Sequence, residues 1–286
     1  MLRAKSLVSS FLLFIFLFST AVMAAPGKPS KSAIASAHPL ATQAGEQILK
    51  QGGNAFDAAI AVSAALAVVE PASSGLGGGG FWLLHRAEDG KQIVVDGREV
   101  APMAASHDMF LNADGEPIPD LSREGALAAG IPGHPAALAH IAEHYGQLSL
   151  QQSLAPAISL AKHGFRAGER LTEGVTIKQN LLRRFRSSRS VFLPQGEPPT
   201  FGALIVQPDL AKTLQVLAER GHDGFYEGRV ARRLVQSVRN NGGIWTLEDL
   251  KHYRIVEREP LIGDFFGLRI IGAPPPSSGA MVMINT

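Results

Sequence analysis

Residues 55–69 read AFDAAIAVSAALAVV, and this run constrains the fold more than any other stretch. A helix of that composition is apolar on every side. It must be covered all round, and its alanines let neighbours approach closely. Asn54 in front of it is a good N-cap, and Asp57 sits where a carboxylate suits the positive end of the helix dipole. Pro71 ends the run. The preceding segment, PLATQAGEQILKQGG, spaces Leu40, Ala44, Ile48 and Leu49 as a helical pattern and stops at Gly52 and Gly53. Two consecutive helices are expected, the second one buried.

The next stretch is SSGLGGGGFWLLH, Ser73 to His85. Gly75, Gly77 and Gly80 spell G-x-G-x-x-G, the pattern of a dinucleotide-binding loop. That loop needs a strand before the glycines and a helix after them, so that a pyrophosphate meets a helix N-terminus. Here the order is helix, glycines, strand, and no Lys-Ser/Thr follows, so no nucleotide cofactor is expected. The glycines instead suit a close approach of backbone to another segment or to a substrate, because glycine lacks a Cβ. FWLLH and QIVVD read as two strands joined by turn chemistry at Glu88, Asp89 and Gly90, which makes a hairpin. Further helices are expected at about 134–145, 150–163 (kinked at Pro156), 208–220 and 228–240, with short strands at 254–258 and 261–272. The class is mixed α/β with hairpin-joined strands, not a repeated βαβ array.

The first 24 residues have a basic start, Arg3 and Lys5, an apolar centre over Phe11 to Phe18, and small residues Val22 and Ala24 before a cleavage point. This is the pattern of a secretory signal peptide; the apolar run is shorter than a membrane-spanning helix needs. Residues 25–31, APGKPSK, read as a flexible lead-in, and the globular pattern occupies 32–286. Formal net charge is +2, and loss of Arg3 and Lys5 brings the mature chain to neutrality, so nucleic acid is not an expected partner. The chain has no cysteine, which fits an exported protein that does not rely on disulfides. A periplasmic or secreted bacterial protein, free of the membrane once the signal is cleaved, is the expectation.

Three side-chain groups merit weighing. HIAEH, His140 to His144, spells the inverted zinc-protease signature, but no third ligand is singled out downstream, and no metal is expected. KQNLLRRFRSSR, Lys178 to Arg189, is basic and reads as a solvated helix face. Arg98, in VVDGREVAP, lies just beyond a strand end near the glycines, where a planar guanidinium can present two parallel hydrogen bonds to a carboxylate. Spacing alone does not separate that role from a structural arginine paired with Asp96 or Glu99.

The segment from ASAHPLATQAGEQILKQGGNAFDAA through SSGLGGGGFWLL closely resembles the opening of the γ-glutamyltransferase (glutathione hydrolase) family. DGREVAPMAASHDMF, GALAAGIPGHPAAL, ISLAKHGF, NNGGIWTLEDLKHY and PPPSSG continue the resemblance in family order to Thr286. It implies the N-terminal-nucleophile hydrolase fold, with two stacked sheets between helical layers, and a precursor that cuts itself into a large and a small subunit. The new N-terminal Thr of the small subunit attacks the γ-glutamyl amide of glutathione, its own α-amine serving as the base. Water or an acceptor amino acid resolves the acyl-enzyme, with no cofactor. The resemblance assigns Arg98 to the substrate α-carboxylate. It departs at Gly97, where the family commonly has an aromatic residue, and this removes a packing contact beside Arg98.

The resemblance also implies a missing part. No counterpart of the nucleophile Thr lies within these residues, and Thr286, the last of them, is not a substitute. The sequence therefore reads as the large-subunit portion of a precursor, inactive alone and expected to expose core surface and strand edges. The alternatives are an acylase of the same fold acting on a glutaryl-type amide, and a non-catalytic fragment that binds a partner.

Overall fold

The computed structural model describes residues 32–285. The expected signal peptide (1–24) and lead-in (25–31), together with Thr286, lie outside the described residues.

The first helix, α1 (Pro39–Lys50), begins where the Leu40 N–H donates to His38 Nδ1 at 3.1 Å. It ends before Gly52, whose φ of +91° lies in the region open to glycine. The second, α2 (Ala55–Val69), is the all-apolar run. Asn54 Oδ1 accepts from the Phe56 and Asp57 N–H groups, and the Asp57 carboxylate accepts from Asn54 N–H in return. Asp57 is fully buried. It also takes the N–H groups of Gln147 and Leu148, so the cap of α2 fastens a loop 90 residues away.

Two core clusters account for the apolar girth of α2. Ala61 and Ala65 pack with Ala41, Ala44 and Ile48 of α1. Ile60, Ala64 and Val68 join the main core beside α3 (His134–Tyr145) and α4 (Leu150–His163), with Leu138, Ile141 and Leu154 fully buried. Small side chains on both faces permit this double contact. α4 starts on a reciprocal cap between Ser149 and Gln152 and runs on as one helix through the buried Pro156.

Strand β1 (Gly80–Arg86) pairs antiparallel with β2 (Lys91–Gly97), Gly80 lying opposite Gly97. Gly90 supplies the positive φ of the turn. The remaining elements before the C-terminal part are β3 (Phe165–Arg166), paired with β4 (Leu204–Ile205), and α5 (Glu169–Arg184), α6 (Arg186–Phe192), α7 (Pro208–Arg220), α8 (His222–Tyr226), α9 (Gly228–Asn240) and α10 (Leu247–Lys251). Strand β5 (Val256–Arg258) adds to the far side of β2, which becomes the centre of a three-stranded sheet and buries Ile93, Val94 and Val95.

The helices expected at 134–145, 150–163, 208–220 and 228–240 are present at those bounds. The basic run at 178–189 is divided between α5 and α6, and α6 buries none of its residues. The stretch 261–272 is not one strand but a hairpin, β6 (Leu261–Phe265) and β7 (Leu268–Gly272). Phe266 and Gly267, at φ +47° and +78°, form its two-residue turn, a geometry that a phenylalanine does not announce. Helix α11 (Gly279–Asn285) packs on this hairpin, with Ile284 over Gly263 and Ala280 over Gly272. Phe266, Leu268 and Val282 are exposed there. Among the described residues the sheet content is one three-stranded sheet and two ribbons, and no helix is long and apolar enough to cross a membrane.

Candidate active site

The segments around Gly79, Gly97 and Gly133 converge on one carbonyl group. A Cβ placed on Gly79 would lie 2.2 Å from the Gly97 oxygen, and one on Gly133 would lie 2.1 Å from it. Gly97 itself has no room for a side chain, since a Cβ there would meet Ala137 at 2.8 Å and the Trp82 ring at 2.9 Å. The glycine loop, the end of β2 and the start of α3 therefore cross at backbone-to-backbone distance. The order helix, glycines, strand is as expected from the sequence, with the loop lying between α2 and β1.

The first turn of α3 holds the loop. The N–H groups of Gly133 and His134 both donate to Gly78 O at 3.0 Å. Such N–H groups have no partner within their own helix, and here they find one across the crossing. His134 Nδ1 donates to Gly75 O at 3.0 Å, which fixes the proton on Nδ1 because a carbonyl only accepts. Nε2 is buried and has no partner among the described residues. Burial, the largest influence, pushes the His134 pKa below the ordinary imidazole range, against the opposing pull of the Gly75 carbonyl and Glu99. A cleft of about 560 Å³ opens above, walled by the loop, Phe81, Trp82, Glu99 and His134.

Arg98 lies behind two residues of the cleft wall, Glu99 and Phe81. Its main chain is fixed twice: Arg98 N–H donates to Asp96 Oδ1 at 3.0 Å, and Arg98 O accepts from Tyr253 Oη at 2.7 Å. Asp96 is buried and is balanced by Arg258, whose Nε donates to Oδ2 at 2.7 Å. The Arg98 side chain is 53% exposed. Its Nε donates to Glu99 at 3.2 Å and its guanidinium lies 5.7 Å from the Phe81 ring centroid. No described residue hydrogen-bonds its terminal nitrogens. Arg98 is thus paired with Glu99 along one edge, while Asp96 holds its backbone rather than its side chain.

The expected loss of packing at Gly97 is made good from elsewhere. The Trp82 ring occupies the space next to Gly97, with Nε1–H donating to Ser63 Oγ at 3.1 Å, and Phe81 faces the guanidinium. His134, Trp82 and Tyr253 were not singled out by the sequence pattern. A lone His or Tyr carries no periodic signal, and only the G-x-P-G context of His134 marks a tight approach.

His140 and His144 share one face, their rings stacked at 4.1 Å. His140 Nε2 and Tyr145 Oη both meet Glu257 Oε1, at 2.8 and 2.5 Å, so the histidine is engaged with a strand carboxylate. Burial and that carboxylate push the Tyr145 phenol up to about 12. Among the described residues no group of three or more His, Asp or Glu side chains is arranged to hold a metal ion.

The chain is similar to known proteins over most of its length. The chain is 41% identical over 261 residues to the glutathione hydrolase proenzyme of Escherichia coli, covering 91% of this chain and 45% of that one. It is 38% identical over 263 residues to the acylase ACY 1 proenzyme of a Pseudomonas species, covering 90% and 47%. It spans a little under half the length of the curated relatives it matches. The crystal structure of Helicobacter pylori γ-glutamyltranspeptidase superposes with a TM-score of 0.85 at 41% identity, covering 89% of this chain and 73% of that one. The fold is that of the N-terminal-nucleophile hydrolases, in the part that this chain supplies. With residues 41–286 matching the model of the γ-glutamyltranspeptidase family, the chain belongs to that family.

Proposed function

We propose that this chain supplies the γ-glutamyl-binding half of an exported enzyme that transfers the γ-glutamyl group of glutathione and related compounds to water or amino acids. The observation that carries the reading is Arg98, a guanidinium whose backbone is fixed on both sides, whose terminal nitrogens are free of described partners, and whose side chain rests on Phe81 and Glu99, two residues of the cleft wall. Such a fork matches an α-carboxylate with two parallel hydrogen bonds and sets the distance to the γ-carbonyl. The nucleophile is then the N-terminal Thr of a small subunit cut from the same precursor. Its hydroxyl adds to the γ-carbonyl as its α-amine takes the proton. The amine leaving group departs with that proton, and water or an acceptor amine releases the acyl group.

The test is kcat/KM for Arg98→Lys and Arg98→Ala, with the chain co-expressed with a family small subunit, on paired substrates with and without the α-carboxylate. Hydrogen bonds to charged groups are worth about 1.5–3 kcal/mol, so Arg98→Lys should lose about one to two decades on the carboxylate-bearing substrate. The substrate lacking the carboxylate should be poor for the parent and nearly indifferent to both changes. An equal fall on both substrates would make Arg98 a structural residue. Export is tested separately: the mature N-terminus should read Ala25-Pro26-Gly27, and an intact Met1 on exported protein would refute cleavage.

The similarity to an acylase proenzyme supports a second reading, in which the amide bears a glutaryl-type side chain. That group retains the distal carboxylate but lacks the α-ammonium, so Arg98 would serve both. A substrate pair differing only in the α-ammonium separates the two.

A further inference from the structure

We propose that His134 is a positioning residue of this cleft, fastening the glycine loop beneath Arg98 through its neutral Nδ1–H tautomer. The loop contact stands on the geometry alone; its consequence for substrate binding rests on the reading of Arg98 above.

The loop is the floor on which Arg98 sits. Gly79 lies so close that a Cβ there would be 2.2 Å from Gly97 O and 3.0 Å from both Arg98 Cα and Glu99 N. Any shift of the loop therefore reaches the Arg98 backbone directly. Three hydrogen bonds from the start of α3 hold it, two from backbone N–H groups to Gly78 O and one from the His134 side chain to Gly75 O. Gly75 O also accepts from Gly78 N–H at 3.2 Å, so the imidazole closes a loop that is already turned on itself.

The other end of the ring makes the fastening conditional. A proton on Nε2 would put a buried cation with a donor facing no acceptor, which is costly. Trp82 of β1 packs beside the ring, with centroids 5.5 Å apart, and offers no acceptor. The charged group facing His134 is Glu99, after β2, which favours the proton but does not overcome burial. The phenols of Tyr226 (α8) and Tyr253, which follows α10, are pushed up by burial and stay neutral. The folded state thus binds the proton less readily than the unfolded chain. The closed loop has its full stability above the ordinary imidazole value of about 6.5 and loses stability, relative to states that expose the ring, as pH falls below it.

The test is hydrogen exchange of the amides from Gly75 to Phe81 in the 286-residue chain, corrected for intrinsic rates, at about pH 8 and about pH 5.5, on either side of that value. In the parent, loop protection should drop by about tenfold on acidification, because opening exposes an imidazole that takes up the proton the buried ring refuses. His134→Asn keeps a side-chain donor toward Gly75 but cannot titrate. Its protection should match the parent at the higher pH within about threefold and stay flat with pH. His134→Leu should lose about tenfold at both pH values. An Asn variant as pH-dependent as the parent, a flat parent, or a Leu variant with full protection would overturn the proposal. If the Leu variant does not fold, the parent and Asn pair decides.

With a small subunit present, His134→Leu should raise KM for a γ-glutamyl anilide by about tenfold with kcat within about twofold, and His134→Asn should restore KM. A fall in kcat at unchanged KM would also overturn the proposal. If the parent itself turns over no γ-glutamyl compound, the functional reading fails, and the exchange result still decides the role of His134.

Discussion

Tyr253 Oη donates to the carbonyl oxygen of Arg98 across 2.7 Å, joining residues 155 positions apart. The Tyr253 ring is stacked on Tyr226 with centroids 5.4 Å apart, and Tyr226 is stacked on His222 at 4.4 Å. Tyr226 Oη in turn donates to Pro132 O at 2.7 Å. One column of rings thus anchors both the Arg98 segment and the entry to α3, the two partners of the glycine crossing. Burial above all, with the nearby carboxylates of Asp96 and Glu99, raises the Tyr253 pKa, so the phenol remains a donor throughout the working range.

Tyr253→Phe keeps the stacked ring and removes one hydrogen bond. Unfolding free energy should fall by about 1 kcal/mol, read from the urea midpoint at unchanged slope. An unchanged midpoint would mean that the bond adds no net stability.

The glycines of the loop are not equivalent. Gly79→Ala drives a Cβ into the Gly97 carbonyl, whereas a Cβ on Gly77 would meet nothing within 4 Å. Gly79→Ala should destabilise by about 1–3 kcal/mol or more, and Gly77→Ala by less than about 0.5 kcal/mol. Comparable melting temperatures for the two variants would contradict the crossing geometry.

Asp57→Asn tests the buried cap. The carboxylate accepts from Asn54, Gln147 and Leu148 N–H, and an amide in its place turns a donor toward donors. A loss of about 2–3 kcal/mol is expected in denaturant unfolding. A near-neutral result would show that the loop after α3 rearranges to find other acceptors.

Asp249 provides a pH signature. Burial alone would raise its pKa, but hydrogen bonds from Met103 N–H and from Thr246 outweigh burial and hold the carboxyl below its ordinary range. A carboxyl depressed in the folded state stabilises above its unfolded value, about 3.9, and that stability is lost as pH falls through the folded value. Asp249→Asn should therefore lower stability near neutrality and flatten the acid limb of the stability–pH curve. A parallel acid limb, followed by circular dichroism, would refute this.

Much of the fold was legible in the sequence because burial has a period. The all-apolar α2 carried its own cap in Asn54 and Asp57, and the N-terminal and C-terminal limits of α3, α4, α7 and α9 followed from spacing and punctuation. The turn at Phe266 and Gly267 was not legible, since a phenylalanine at positive φ contradicts the residue preferences that mark a hairpin. At the candidate site, Arg98 stood out by its place beyond a strand end. The anchors behind it did not: Tyr253 and His134 are single polar residues in otherwise ordinary helical and loop contexts.

By itself, the sequence determined the helix–glycines–strand order that excludes a dinucleotide loop, the burial of α2 and the family likeness. These are properties of neighbouring residues, and local spacing encodes them. The tertiary structure alone decided that Gly79, Gly97 and Gly133 share one carbonyl, that Trp82 fills the space beside Gly97, and that His134 must carry its proton on Nδ1. Those outcomes depend on which distant backbones pack within hydrogen-bond reach, and the free energy of such contacts belongs to pairs of segments rather than to either one.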